Sequence, residues 1–80
     1  MIDPKLHSLI KVVETGSFTR AAEQLSLTQP AVSQHIRSLE SELNVRIFER
    51  KNNELHVTHE GETVIKYARR MLSLYNNLCK

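Results

Sequence analysis

The sequence predicts a mostly α-helical domain: three short helices around a shared core, a two-stranded hairpin, and a long C-terminal helix. Three observations carry this. Apolar residues recur three and four apart through the first half of the chain, the spacing of a helical face. Two short segments of strand character flank a polar tip at residues 51–54. From residue 59 onward, apolar positions repeat at heptad spacing.

The first helix is expected to begin after Pro4 and to end at Thr15 and Gly16. Leu6, Leu9, Ile10 and Val13 make its buried stripe, and Gly16 takes the left-handed conformation that stops it. Its task is to cover the back of the unit that follows. Residues 18–37 read as two helices meeting at a four-residue turn, 26–29. Phe18, Ala21, Ala22 and Leu25 share one face, and Ser17 can cap their helix by accepting from a first-turn amide. Leu27 is expected to plug the corner between the helices. Thr28 is the candidate cap of the second one, with Pro30 in its first turn, where a missing amide hydrogen costs nothing.

The second helix of this pair, about residues 29–43, has two distinct faces. Val32, Ile36, Leu39 and Leu43 fall within roughly a 60° sector and point to a core. Pro30, Gln34 and Arg37 lie opposite, with Ser33 at the edge. That outer set is short, hydrogen-bonding and uncluttered, which suits a helix entering a DNA major groove better than the Lys- and Glu-rich face of an ordinary solvated helix. Glu40 and Glu42 fall between the two faces and would repel phosphates, so contact is confined to the first two or three turns.

Asn44 should end this helix in the left-handed region, and Val45 and Ile47 return to the core. Residues 48–50 and 55–57 are the two strands of a wing spanning 46–57. So small a hairpin must lean on the helices. Strand alternation puts Arg50 on the same face as Phe48, which predicts a half-buried guanidinium reaching out to an anion; the competing reading is an ion pair with Glu40 or Glu42 that braces the wing. Thr58 caps the last helix, and Glu60 and Glu62 complement its dipole. Val64, Ala68, Met71, Tyr75 and Leu78 repeat at heptad spacing, overlapping a second stripe of Gly61, Ile65, Ala68, Leu72, Tyr75 and Cys79. One seam covers the domain's own core; the other is left for another chain, because a helix of ~30 Å outruns so small a core.

Composition removes several function classes. Eighty residues make one small domain, 40% hydrophobic and 25% charged, which is neither disordered nor membrane-like. No apolar run approaches the ~18 residues a membrane span needs, and residues 1–4 lack the basic-then-apolar pattern of a leader. The single Cys79 has no internal disulfide partner, which fits a reducing cytoplasm. A net charge of +2 identifies no partner by itself, but residues 46–51, RIFERK, hold three of the eleven basic residues. His56, His59 and Glu60 lack committed zinc spacing, Cys79 has no activating neighbour, and Ser17, Ser33 and Ser38 have no base with an orienting acid. The reading is a non-enzyme with no metal and no cofactor.

The segments SFTRAAEQLSLTQPAVSQHIRSLESEL, IFER and LHVTHEGE, at their spacings, resemble the N-terminal domain of LysR-type transcriptional regulators over nearly the whole chain. The resemblance implies a winged helix-turn-helix, double-stranded DNA as partner, homodimerisation through the last helix, and a pseudo-palindromic operator. It also implies that family members continue into a ligand-sensing domain that these residues do not include. Residues 1–58 are then the DNA-binding domain, with the helix-turn-helix at 18–37, and residues 59–80 the dimerisation helix. Gln29, Pro30, Ser33 and Gln34 are the expected base-reading set. Ser17, Thr28, Arg37, Arg50, Lys51 and Asn52 are the expected phosphate contacts, which position without specifying. The dimer seam is Val64, Ala68, Met71, Tyr75 and Leu78. Two positions depart from the family pattern: Asn44 replaces a usual glycine, and Gln34 a frequently basic residue, which favours adenine over guanine as its contact. The alternative from another class is a protein-interaction module whose last helix binds a partner protein. An RNA-binding winged helix would need a stacking surface, and Phe18, Phe48, Tyr67 and Tyr75 are the only aromatic residues.

Overall fold

In a computed structural model that describes residues 3–79, the elements follow the order α1 (Pro4–Thr15), α2 (Phe18–Leu25), α3 (Gln29–Leu43), β1 (Phe48–Lys51), β2 (Glu54–Val57) and α4 (His59–Leu78). Met1, Ile2 and Lys80, which end the two expected segments and carry part of the expected leader-free start, lie outside the described residues. The helical caps explain where the helices begin. The side chains of Asp3, Ser17, Thr28 and Thr58 each accept from a first-turn amide, of Lys5, Arg20, Ala31 and Gly61 respectively. Gly16 and Asn44 stop α1 and α3 in the left-handed region, at φ 71° and 56°.

One buried cluster joins Leu6, Leu9 and Val12 of α1, Ala21 and Ala22 of α2, and Val32, Ile36 and Leu39 of α3 to Ile47, Phe48, Ile65 and Ala68. Because α1 packs against α2, α3 and α4 at once, its buried arc is rotated from the expected stripe. It runs through Ser8 and Val12, and leaves Ile10 and Val13 half-buried. Ser8 is fully enclosed, and its hydroxyl bonds Nδ1 of His35 on α3 at 2.6 Å, so the polar group does not go unpaired in the core.

Three local expectations are corrected. The turn before α3 is one residue shorter, because Gln29 is already helical and Ser26 makes the reversal with φ 57°. Leu27 is 40% exposed and does not plug the corner. Leu43 is 48% exposed: α3 runs past the core, and at that end the fully buried Ile47 fills the place after the chain reverses at Asn44.

The wing is an antiparallel pair in the register Phe48↔Val57, Glu49↔His56, Arg50↔Leu55 and Lys51↔Glu54. Its tip is only Asn52 and Asn53, both left-handed at φ 54° and 63°, the geometry that two-residue hairpins favour and Asn tolerates. Lys51 and Glu54, expected at the tip, are strand residues. The base of the wing is clasped to α4. Thr58 donates its amide to the Ile47 carbonyl at 2.9 Å and its hydroxyl to the Arg46 carbonyl. A Cβ at Gly61 would lie 3.0 Å or less from the Ile47 carbonyl carbon and Cα, so only glycine lets α4 approach that closely. Gly61, Ile65 and Ala68 are buried, which makes the first half of α4 part of the domain's own core.

Candidate nucleic-acid interface

The N-terminal half of α3 presents the expected outer face. Gln29, Pro30, Gln34 and Arg37 are exposed, and Ser33 is half-buried at its edge. Two hydrogen bonds organise these side chains along the helix. Gln29 Nε2 donates to Ser33 Oγ at 2.6 Å, and Arg37 Nη2 donates to Gln34 Oε1 at 3.3 Å. The second bond turns the Gln34 amide so that Nε2 stays free to donate while Oε1 is held in place. That is the half of a bidentate adenine contact that must find N7.

The acids between the two faces are engaged elsewhere. Glu40 accepts from the Ile47 amide at 2.8 Å and from the Phe48 amide at 3.4 Å, tying α3 to the start of the wing. Glu42 accepts from Lys5 Nζ at 2.6 Å, and this hydrogen bond holds the Lys5 ammonium above its ordinary pKa. Sequence reasoning missed this stapling role of Glu40, since nothing local to residue 40 signals amides seven and eight positions on.

Besides Arg37, exposed on α3, the expected phosphate contacts fall in two groups. Ser17 and Thr28 use their oxygens as caps, which leaves each hydroxyl proton free to donate. Arg50, Lys51 and Asn52 lie along the wing towards its tip. Arg50 is exposed rather than half-buried. It shares a face with the buried Phe48 and the half-buried Leu55, but burial falls off along β1 from Phe48 to Arg50. The alternative bracing pair does not form: among the described residues Arg50 makes no ion pair with Glu40 or Glu42. Lys51 pairs with Glu49 at 3.3 Å, which tempers its charge.

On α4 the expected seam needs revision. Ala68 is fully buried inside the chain's own core, and Val64 packs half-buried against that core. The open apolar line is Tyr67, Met71, Leu74 and Leu78, exposed by 51%, 46%, 68% and 80%, with Tyr75 half-buried beside it. Leu74 was missed, although 67, 71, 74 and 78 also keep four-three-four spacing. Lys66 and Arg70 flank Tyr67, their charges 5.8 and 5.6 Å from its ring centre. Among the described residues, no three His, Cys, Asp or Glu side chains gather to hold a metal ion, and no helix is long and apolar enough to cross a membrane.

Comparison with known proteins adds to this geometry. Residues 4–62 match the family described as bacterial regulatory helix-turn-helix proteins, lysR family. The chain is 43% identical over 76 residues to a probable RuBisCO transcriptional regulator of Guillardia theta, covering 95% of this chain and 24% of that protein. It is 48% identical over 69 residues to an HTH-type transcriptional regulator of Azotobacter vinelandii encoded between ibpB and leuC, covering 86% of this chain and 48% of that one. The chain thus spans a quarter to a half of the length of these relatives. Its fold is similar to the crystal structure of a BenM DBD/catB site 1 DNA complex, with a TM-score of 0.90, 35% identity, and coverage of 99% of this chain and 89% of that one.

Proposed function

As the chain belongs to the lysR family of bacterial regulatory helix-turn-helix proteins, we propose that it binds double-stranded DNA as the operator-binding domain of a transcriptional regulator. It acts in the cytoplasm as a binding protein rather than an enzyme. The observation that carries this is the exposed outer face of α3: short, polar, free of acid over its first turns, and backed by a packed core. In this reading α3 lies in the major groove, Gln29, Pro30, Ser33 and Gln34 meet base edges, and Pro30 supplies apolar contact. Ser17, Thr28, Arg37, Arg50, Lys51 and Asn52 hold the backbone.

Two copies bind a pseudo-palindromic site, joined through the second half of α4. Residues 1–58 with the buried first half of α4 form the DNA-binding unit, and the remainder is the dimerisation arm. The interaction-module alternative would leave the polar face of α3 without a use. Selection from a randomised duplex pool tests the reading: enrichment of a two-fold-related sequence is the expected outcome, and a pool that stays random at low salt would refute it.

A further inference from the structure

Between α3 and the wing lies an open cleft of about 460 Å³. Phe18, Ile36, Phe48 and Leu55 supply its apolar lining, and Phe18 and Phe48 meet edge-to-face at 5.9 Å. Around it stand three guanidinium groups, of Arg37, Arg46 and Arg50, with the carboxylates of Glu40 and Glu49. Of the two acids, Glu49 is paired with Lys51 Nζ at 3.3 Å, while Glu40 accepts from the Ile47 and Phe48 amides through Oε2 and keeps its negative charge. Among the described residues, no ion pair involves any of the three arginines. The cleft therefore holds three arginines against one carboxylate without a cation, and none of the three is paired with it.

Arg46 is the member that the sequence reading did not place. It is exposed, and it stands on the segment between α3 and β1, where the backbone is unusually well held. Its own carbonyl accepts from the Thr58 hydroxyl, and the next amide donates to Glu40 Oε2 at 2.8 Å. The Arg46 side chain thus springs from a clamped base and lines the cleft. A guanidinium is strongly suited to phosphate oxygens, which it can grip through two parallel hydrogen bonds.

We propose that Arg46 is a further phosphate-positioning residue, and that with Arg37 and Arg50 it holds the backbone of one DNA strand along the cleft between α3 and the wing. This rests on the DNA-binding reading above and extends it. The occupant is a phosphodiester backbone, because three arginines lining one open cleft match a repeating anion better than a single one. The contact carries no base information, since none of these groups need reach into the groove to make it.

Arg46→Ala, measured beside the unaltered chain, tests this by salt titration on both the selected duplex and a scrambled duplex. Each phosphate contact contributes about 0.9 to the slope of log affinity against log salt. The slope should fall by about that much per protomer, so the affinity lost between 50 and 200 mM salt should shrink by roughly 3.5-fold for each protomer bound, or about 12-fold for a dimer. The ratio of affinities for the two duplexes should not change, and Arg46→Lys should restore most of the slope. Thermal unfolding should be unchanged, because the fold uses the backbone of residue 46 and not its side chain. An unaltered slope in Arg46→Ala overturns the assignment while leaving DNA binding intact. A changed duplex ratio also overturns it, by making Arg46 a base reader. If the unaltered chain binds neither duplex, the DNA-binding reading falls and takes this one with it.

Discussion

Gln34 is where specificity should be most visible. Its amide oxygen accepts from Arg37 at 3.3 Å, which leaves Nε2 as a free donor on the exposed face of α3. Gln34→Ala should reduce discrimination between the selected and scrambled duplexes by about 1–3 kcal/mol, with a much smaller effect on the scrambled one. Equal losses on both would show that Gln34 reads no base. Lys5 offers a second residue-level test. The Glu42 hydrogen bond raises its pKa, so folding gains stability that is fully present below the ordinary pKa of 10.5 and is lost as pH rises through the higher folded value. Neutral stability should therefore be flat, with a decline beginning above about pH 10.5. Glu42→Gln should flatten part of that decline, read as the difference between the two proteins' alkaline unfolding curves.

At the level of elements, the wing is held by contacts with α3 and α4 rather than by its own pairing. Four residues per strand cannot stand alone in water. Glu40 supplies one hold, accepting from two amides that would otherwise be unpaired at the entry to β1. Glu40→Ala should cost about 1–3 kcal/mol, the penalty for stranding buried donors, and Glu40→Gln much less because its oxygen still accepts. Gly61 supplies the other. Alanine is the better helix former by about 1 kcal/mol, but at residue 61 its methyl would strike the Ile47 backbone, which no rotamer change can relieve. Gly61→Ala should thus be destabilising despite propensity. The midpoint of thermal unfolding should fall by about 4–8 °C for each kcal/mol lost in a domain of this size.

The whole molecule is elongated, 42 × 27 × 20 Å, because α4 continues beyond the core that its first half helps to build. Tyr67, Met71, Leu74 and Leu78 are thereby left as one exposed apolar line. Such a line on a helix of about 30 Å suits a second copy, and two copies would carry two α3 helices to the two halves of a symmetric site. Leu74→Glu should bury a charge in that contact and give monomers by sedimentation at micromolar concentration, with the fold unchanged because Leu74 is 68% exposed. Lys66→Ala, beside the line, should leave the association nearly intact. A native chain that sediments as a monomer under the same conditions would remove the dimer from the reading.

Much of the local structure was legible in the sequence because its causes are local. Ser17, Thr28 and Thr58 announce helix starts, Gly16 and Asn44 announce stops, and the period of Val32, Ile36 and Leu39 separates the buried face of α3 from the one carrying Gln34 and Arg37. What the sequence could not determine depends on which surfaces meet. Periodicity gave α1 a stripe, but only packing against three helices at once decided that Val12 is enclosed and Ile10 half-open. Heptad spacing offered several overlapping lines on α4, and only the position of α1 decided that Ala68 turns inward while Leu74 is left outside. Alternation placed Arg50 beside Phe48, yet burial falls off along β1, so the same face is core at one residue and open to solvent two residues later. A helical or strand period fixes relative directions around one element; which direction is inside is set by the neighbours that remove it from water.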